Sequence, residues 1–134
     1  MNANEKQVAG SHYKAAYQHW DYCIDMNVPY LESAASKYVL RWRKKNGCVD
    51  LEKALHYMEK RLESLRDYKG IIKAASKNVI NFSKLCASND LTVREAEIID
   101  KIMHWRNINE VAEVVNMIED FIQQEQMRGY VNQD

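Results

Sequence analysis

The sequence predicts an all-α protein, a small helical bundle with an antiparallel helical hairpin at its centre. Apolar residues recur at the three- and four-residue spacing of amphipathic helices along almost the whole chain. Alternation of apolar and polar residues, the pattern typical of strands, never persists for more than four residues. The 134 residues include one proline and four glycines, so few positions interrupt a helix.

The first two predicted helices are aromatic. The apolar stripe of the first carries Tyr13, Tyr17, Trp20 and Ile24. Pro29 suits the first position of the second helix, because its fixed φ is already helical. The stripe of that helix carries Leu31, Ala35, Tyr38 and Trp42. Asn46-Gly47 is expected to end it, since glycine adopts the left-handed conformation that closes many helices.

The third predicted helix begins directly after that turn, with Asp50 as its N-cap. Its apolar stripe carries Leu51, Leu55, Met58, Leu62 and Leu65. The connection between the second and third helices is therefore only a few residues long. Short connections join antiparallel neighbours, so these two helices are predicted to form the central hairpin.

The second half of the chain is aliphatic and acidic. Gly70 is expected to precede a stripe of Ile72, Ala75, Val79, Phe82 and Cys86. Thr92 and Glu95 form the pattern of a capping box at the start of the next helix, and a break at 107–109 precedes the last one. We expect two regions: 1–68, which is aromatic and basic, and 69–134, which serves packing or oligomerisation.

The charges are balanced in number but unevenly placed. The chain carries 19 lysines and arginines and 19 aspartates and glutamates. Residues 37–84 nevertheless have a net charge of +8, and residues 85–134 one of −6. Such asymmetry indicates an anion-binding surface, a charged contact between copies of the chain, or a dipolar protein with solvated faces.

Several function classes are excluded or disfavoured by the sequence. A glycine-rich phosphate loop is missing, as is the EExxE pattern by which helical pyrophosphohydrolases hold magnesium. His19 and Cys23 are four residues apart but have no second ligand pair, so we expect no metal site. Residues 91–99 resemble the first helix of a helix-turn-helix, but the region is acidic, and we expect no nucleic-acid partner.

Targeting and membrane segments are also not expected. The first apolar run is interrupted by His19 and Asp21, unlike the core of a signal peptide. No uninterrupted apolar stretch approaches the roughly 18 residues that span a bilayer. Three widely spaced cysteines, Cys23, Cys48 and Cys86, favour reduced thiols in a cytosolic compartment.

The most informative constellation is basic and aromatic. Lys37, Arg41 and Lys45 fall at i, i+4 and i+8, so on a continuous helix they form one cationic stripe. Arg41 is suited to bidentate contact with a phosphate, with the two lysines as point charges on either side. Tyr38 and Trp42 lie at the edge of this stripe, where either is able to stack a base. The alternative is a solvated cationic face whose aromatic residues belong to the core.

A resemblance to a known family rests on three motifs: Ser11-His12-Tyr13, Lys37-Tyr38-x-x-Arg41-x-x-x-Lys45, and Asp50-Leu51-Glu52-Lys53-Ala54-x-x-Tyr57. Together they cover about residues 11–63. The set resembles a family of small bacteriophage proteins, catalogued as a domain of unknown function, that includes an unusual nucleotide kinase of T-odd podophages.

The resemblance implies a phage-encoded nucleotide-binding protein of the host cytoplasm, and at its furthest a deoxynucleoside monophosphate kinase without a P-loop. The implied nucleotide site comprises His12, Tyr13, Lys37, Tyr38, Arg41 and Lys45. No catalytic residue is assigned, and we expect no tightly bound cofactor, because magnesium would arrive with the nucleotide.

Two non-enzymatic alternatives remain open. One is an oligomeric phage protein that sequesters a nucleotide signal or inhibits a host defence or replication protein. The other is an interaction module whose acidic C-terminal helices bind a partner. We also expect the chain to form a homo-oligomer, because residues 72–122 supply more apolar helix surface than the short first half obviously covers.

Overall fold

The computed structural model describes residues 16–67 and 74–131, with side chains as far as residue 129. The helices of these residues are α1 (His19–Met26), α2 (Tyr30–Arg41), α3 (Cys48–Asp67), α4 (Val79–Ser88), α5 (Val93–His104) and α6 (Ile108–Val131). No strand occurs in these two ranges, so the predicted all-α class is confirmed. The expected break at Gly70 and the stripe residues Tyr13 and Ile72 lie outside the described residues.

The central hairpin is formed by α2 and α3. At the end where the two helices connect, Nε of Arg41 lies 3.3 Å from a carboxylate oxygen of Asp50. At the opposite end, Nε of Arg61 lies 2.7 Å from a carboxylate oxygen of Glu32. From the first pair to the second, the residue on α2 comes earlier in the sequence (Arg41, then Glu32) and the residue on α3 comes later (Asp50, then Arg61). The two helices are therefore antiparallel, as predicted.

The boundaries of the hairpin differ from the prediction. Pro29 is the N-cap of α2 rather than its first residue, and α2 ends at Arg41, where the short 3₁₀ helix Trp42–Lys44 follows. Gly47 then adopts a left-handed conformation with φ of +62°. Asp50 lies in the first turn of α3 instead of preceding it, and its buried carboxylate accepts a hydrogen bond from the backbone N–H of Asn46.

The buried faces of the hairpin are also rotated relative to the predicted stripes. The buried residues of α2 are Glu32, Ala35, Ser36 and Val39. Those of α3 are Asp50, Leu51, Ala54, Met58 and Arg61. Leu31, Tyr38, Leu55 and Leu62 are only half-buried. The reason is that Glu32 and Arg61 form a buried ion pair between the helices, so the face that carries them is turned inwards instead of the predicted stripe.

The second half of the chain packs against this hairpin. The predicted capping box of α5 is confirmed, with Thr92 Oγ1 and the Glu95 carboxylate each accepting a backbone N–H. One hydrophobic core contains residues from both sides of the 68/69 boundary, among them Val39, Met58, Ile102 and Ile118. The regions 1–68 and 69–134 therefore contribute to a shared core.

Two buried glutamates connect the helices through the same chemistry. Glu32 accepts hydrogen bonds from Nε and Nη2 of Arg61 and, at 2.7 Å, from the indole N–H of Trp105. Glu95 accepts hydrogen bonds from the Arg43 guanidinium and, at 2.6 Å, from the indole N–H of Trp42. A buried carboxylate is tolerated only where it is paired and hydrogen-bonded in this way.

Some residues of the basic block 37–84 form ion pairs with residues of the acidic block 85–134. Arg43, from the basic block 37–84, pairs with Glu95 of the acidic block. Lys77, also from the basic block, pairs with Asp100 of the acidic block at 2.8 Å.

None of the described helices combines the length and apolar character that crossing a membrane requires.

The Glu32–Arg61 pair generates the first prediction. In Arg61→Ala the Glu32 carboxylate stays buried without its main partner, so the free energy of unfolding should fall by about 3–5 kcal/mol. The matched control is Lys60→Ala, one residue earlier, where an exposed pair with Glu63 is lost and the change should stay near 0.5 kcal/mol. Urea unfolding followed by circular dichroism measures both. Equal losses in the two variants would contradict the structural role of Arg61.

Candidate functional site

The structure brings together only part of the predicted nucleotide site. Lys37, Tyr38 and Arg41 all lie on α2. Lys45 lies in the turn after the 3₁₀ helix, so the expected three-cation stripe is interrupted after Arg41. His12 and Tyr13 lie outside the described residues.

Tyr38 is at the centre of the residues that do converge. Three cations lie over or beside its ring: Arg41 with its guanidinium carbon 4.8 Å from the ring centroid, Lys53 with Nζ at 5.3 Å, and Lys37 with Nζ at 5.6 Å. All three distances are within the range of cation–π attraction. Two helices supply these cations, so the hairpin itself builds the arrangement.

Two more tyrosines extend this cluster along the hairpin. The ring of Tyr57 on α3 stacks on that of Tyr38, with centroids 6.0 Å apart and planes 15° from parallel. The ring of Tyr30, at the start of α2, meets Tyr57 edge to face at 6.3 Å. A hydrogen bond with Tyr30 raises the pKa of the Tyr57 hydroxyl above its ordinary value.

A groove of about 420 Å³ lies beside these rings. Its lining residues are Tyr38, Val49, Glu52, Lys53, His56 and Tyr57. Five of the six lie on α3 at spacings of one, three and four residues, so they share one exposed face of that helix. Aromatic faces, cationic side chains and an imidazole at one groove suit a planar ligand that carries negative charge. We call Lys37, Tyr38, Lys53, His56 and Tyr57 the tyrosine–lysine surface.

Arg41 has a second role that the sequence did not predict. Its side chain is only 16% exposed, and its Nε and Nη2 lie 3.3 and 3.4 Å from the Asp50 carboxylate. It is therefore not the exposed phosphate clamp expected from helix spacing. One side of the guanidinium neutralises a buried carboxylate while its plane contacts Tyr38.

Sequence reasoning missed Lys53, His56 and Tyr57 as site residues, and it did not place Tyr30 next to them. Lys53 and Tyr57 belong to the Asp-Leu-Glu-Lys-Ala-x-x-Tyr motif and are four residues apart, which on a helix places them on one face. That spacing was the available signal. For Tyr30 there was none, because its approach to Tyr57 depends on how α2 and α3 pack.

A possible metal pair, His19 and Cys23, is occupied by hydrogen bonds. His19 Nε2 lies 2.8 Å from Ser36 Oγ, which donates its own hydrogen to the carbonyl of Glu32. The Cys23 sulphur lies 3.6 Å from the same imidazole nitrogen. In residues 16–67 and 74–131 no group of three or more His, Cys, Asp or Glu side chains is placed to hold a metal ion.

A larger cleft of about 930 Å³ lies between α5, α6 and the segment before α4. On one side of the cleft, His104 Nε2 lies 2.6 Å from the Tyr22 hydroxyl and His104 Nδ1 lies 2.7 Å from Asp100. Elsewhere in its lining, ion pairs join Lys101 to Glu113 and Arg106 to Glu110. Asp100 also accepts from Lys77. Burial lowers the pKa of His104 despite the neighbouring Asp100. Since both imidazole nitrogens have partners, this network connects α1 to α5 rather than presenting a reactive group.

Comparison with family models, with curated proteins and with solved structures finds no match to this chain. The assignment of function therefore depends on the side chains described above.

The second prediction concerns His19, where burial, and secondarily Lys37, lowers the pKa to about 4. The unfolded state, with a histidine pKa near 6.5, then binds the proton more readily, so acidification from pH 6.5 to 4 destabilises the fold. In His19→Gln the amide still donates a hydrogen bond but does not titrate. Across that interval the free energy of unfolding of the wild type should fall by about 2 kcal/mol more than that of this variant. This value is smaller than the full pKa shift implies, because the ring is half-buried and solvent screens part of its charge.

Urea unfolding at a series of pH values measures this difference. Val93→Ala provides the control, since this exposed residue of α5 carries no titrating group and the variant should follow the wild-type pH dependence. If the free energy of unfolding depends on pH in the same way for wild type and His19→Gln, the pKa of His19 does not differ between the folded and unfolded states, which contradicts the prediction.

Proposed function

We propose that the tyrosine–lysine surface binds a nucleotide. The observation that carries this proposal is the convergence of Lys37 and Lys53, from two different helices, on the stacked rings of Tyr38 and Tyr57. Aromatic faces stack bases of any sequence, and cations beside them attract phosphate. The same residues also belong to the motifs that resemble the phage family.

The division of roles follows from exposure and pairing. Lys37 and Lys53 are exposed point charges and hold the phosphate. Arg41 neutralises Asp50 and keeps the Tyr38 ring in place, so it positions the site rather than holding the ligand. Tyr57, half-buried at the groove, offers its ring to the base.

The resemblance extends this proposal to a phage deoxynucleoside monophosphate kinase that acts in the host cytoplasm. In that reaction an oxygen of the acceptor monophosphate bonds to the γ-phosphorus of a nucleoside triphosphate while the bond to the β-phosphate oxygen breaks. Phosphoryl transfer depends mainly on positioning and charge neutralisation, which lysines supply, and magnesium enters bound to the triphosphate.

The alternative is a non-enzymatic oligomeric phage protein that sequesters a nucleotide or inhibits a host protein. It uses the same surface but requires no second nucleotide. Incubation with each deoxynucleoside monophosphate, ATP and magnesium distinguishes the two functions, when formation of the corresponding deoxynucleoside diphosphate is followed by chromatography. Binding without diphosphate formation favours sequestration, and binding with turnover favours the kinase.

The third prediction tests the surface itself. Lys37→Gln and Lys53→Gln each remove a charge-assisted contact, so each should weaken nucleotide binding by about tenfold or more. Lys60→Gln is the matched control, because Lys60 lies on α3 and is paired with Glu63. Isothermal titration calorimetry with nucleoside mono- and triphosphates measures binding, and thermal unfolding should be nearly unchanged in all three variants. Equal affinity in the three variants would refute the proposed phosphate site.

A further inference from the structure

The aromatic part of the α2–α3 surface is longer than one nucleotide requires. Its rings follow one another as Tyr30, Tyr57 and Tyr38, with centroid separations of 6.3 and 6.0 Å. Tyr30 is 74% exposed although it is a large aromatic residue on a short helix. A site for a single base needs only one of these rings, so Tyr30 indicates a longer ligand.

Cations accompany this row and continue beyond it. Lys37 and Lys53 flank Tyr38, the exposed Lys44 ends the 3₁₀ helix after α2, and the exposed Lys45 lies in the turn that follows. From Tyr30 to Arg41 the helix advances about 16 Å at 1.5 Å per residue. A stacked strand advances about 3.4 Å per nucleotide, so this length corresponds to about five nucleotides.

We propose that this surface binds single-stranded oligonucleotides of about four or five nucleotides along α2. Bases stack on the exposed faces of Tyr30 and Tyr57, and the phosphates follow the lysines from Lys53 towards Lys45. The inference rests on the proposed nucleotide site and lengthens it. Stacking platforms beside cationic grooves are the general means of binding single strands without sequence preference.

The neutral total charge does not oppose this inference, and the expectation that nucleic acid is no partner rested on the acidic region around residues 91–99, which lies outside the hairpin. Arg43 and Arg61, two of the basic residues of the block 37–84, are paired with Glu95 and Glu32. Among the described residues of this block, five exposed lysines lie on or beside the hairpin, namely Lys37, Lys44, Lys45, Lys53 and Lys60, while α3 also exposes Glu52, Glu59 and Glu63. Glu52 is the carboxylate that lines the groove, so it opposes the phosphates at close range.

The experiment measures affinity against ligand length. Fluorescence anisotropy with labelled oligodeoxythymidylates of two to eight residues, and competition by thymidine monophosphate, gives each dissociation constant. Affinity should rise by at least tenfold between the mononucleotide and the tetramer and then level off. A parallel series of oligouridylates distinguishes the two sources of single strands, because binding of either supports the inference and the tighter one identifies the natural backbone.

The variants separate this inference from the proposed mononucleotide site. Tyr30→Ala should weaken tetramer binding about tenfold and change mononucleotide binding by less than twofold, whereas Tyr30→Phe, which keeps the ring, should bind both normally. Glu52→Gln should strengthen tetramer binding. Val93→Ala, an exposed apolar residue of α5, is the control.

Four outcomes would overturn the inference. Affinity that does not depend on length, or a tetramer affinity unaffected by Tyr30→Ala, refutes the extended surface but leaves the mononucleotide site intact. Equal affinity for a duplex of the same length shows attraction by charge alone. Failure of both mononucleotides and oligonucleotides to bind refutes the proposed function as well.

Discussion

The carboxylate of Glu32 is the group on which the arrangement of the helices depends. It lies on α2, fully buried, and accepts hydrogen bonds from Arg61 on α3 and from Trp105 between α5 and α6. Three parts of the fold therefore meet at one charge. Because an unpaired carboxylate is too costly to bury, any rotation of α2 that separates Glu32 from these donors is opposed by several kcal/mol. Glu95, with Trp42 and Arg43, repeats this constraint at the other end of α2.

The same constraint determines what the outside of the hairpin presents. With Glu32, Ala35 and Val39 facing inwards, Tyr38 is left at the edge of α2, where it meets Tyr57 across the hairpin. Ala54 and Arg61 face inwards on α3, so Lys53 and Tyr57 lie beside the groove. The aromatic and cationic surface is thus a geometric consequence of the buried ion pair. It needs no loop and no glycine-rich turn to be held in place.

Helical periodicity was sufficient to predict the fold class, the short connection after the second helix predicted the central hairpin, and the Thr92–Glu95 spacing predicted the capping box. The periodicity predicted the helices themselves. It was not sufficient to predict the rotation of the helices, because hydrophobic stripes assume that charged residues face water. Glu32, Arg61 and Asp50 reverse that assumption by pairing inside. The motifs placed Lys37, Tyr38 and Arg41 in the candidate site. Lys45 left the predicted stripe because α2 ends at Arg41, a boundary that the sequence of the basic run does not mark.

Arg41 shows how packing and binding compete for one side chain. Its guanidinium is the group best shaped to bind a phosphate, yet its nitrogens lie beside the buried Asp50 carboxylate. A phosphate that drew Arg41 away would leave that carboxylate without its partner, at a cost comparable to the gain of a charged hydrogen bond. Arg41 is therefore held by Asp50, and in the proposed site the phosphate contacts belong to the exposed Lys37 and Lys53. Binding at such a surface is expected to be moderate in affinity and sensitive to salt, because exposed charges are screened over about 10 Å at 0.1 M ionic strength.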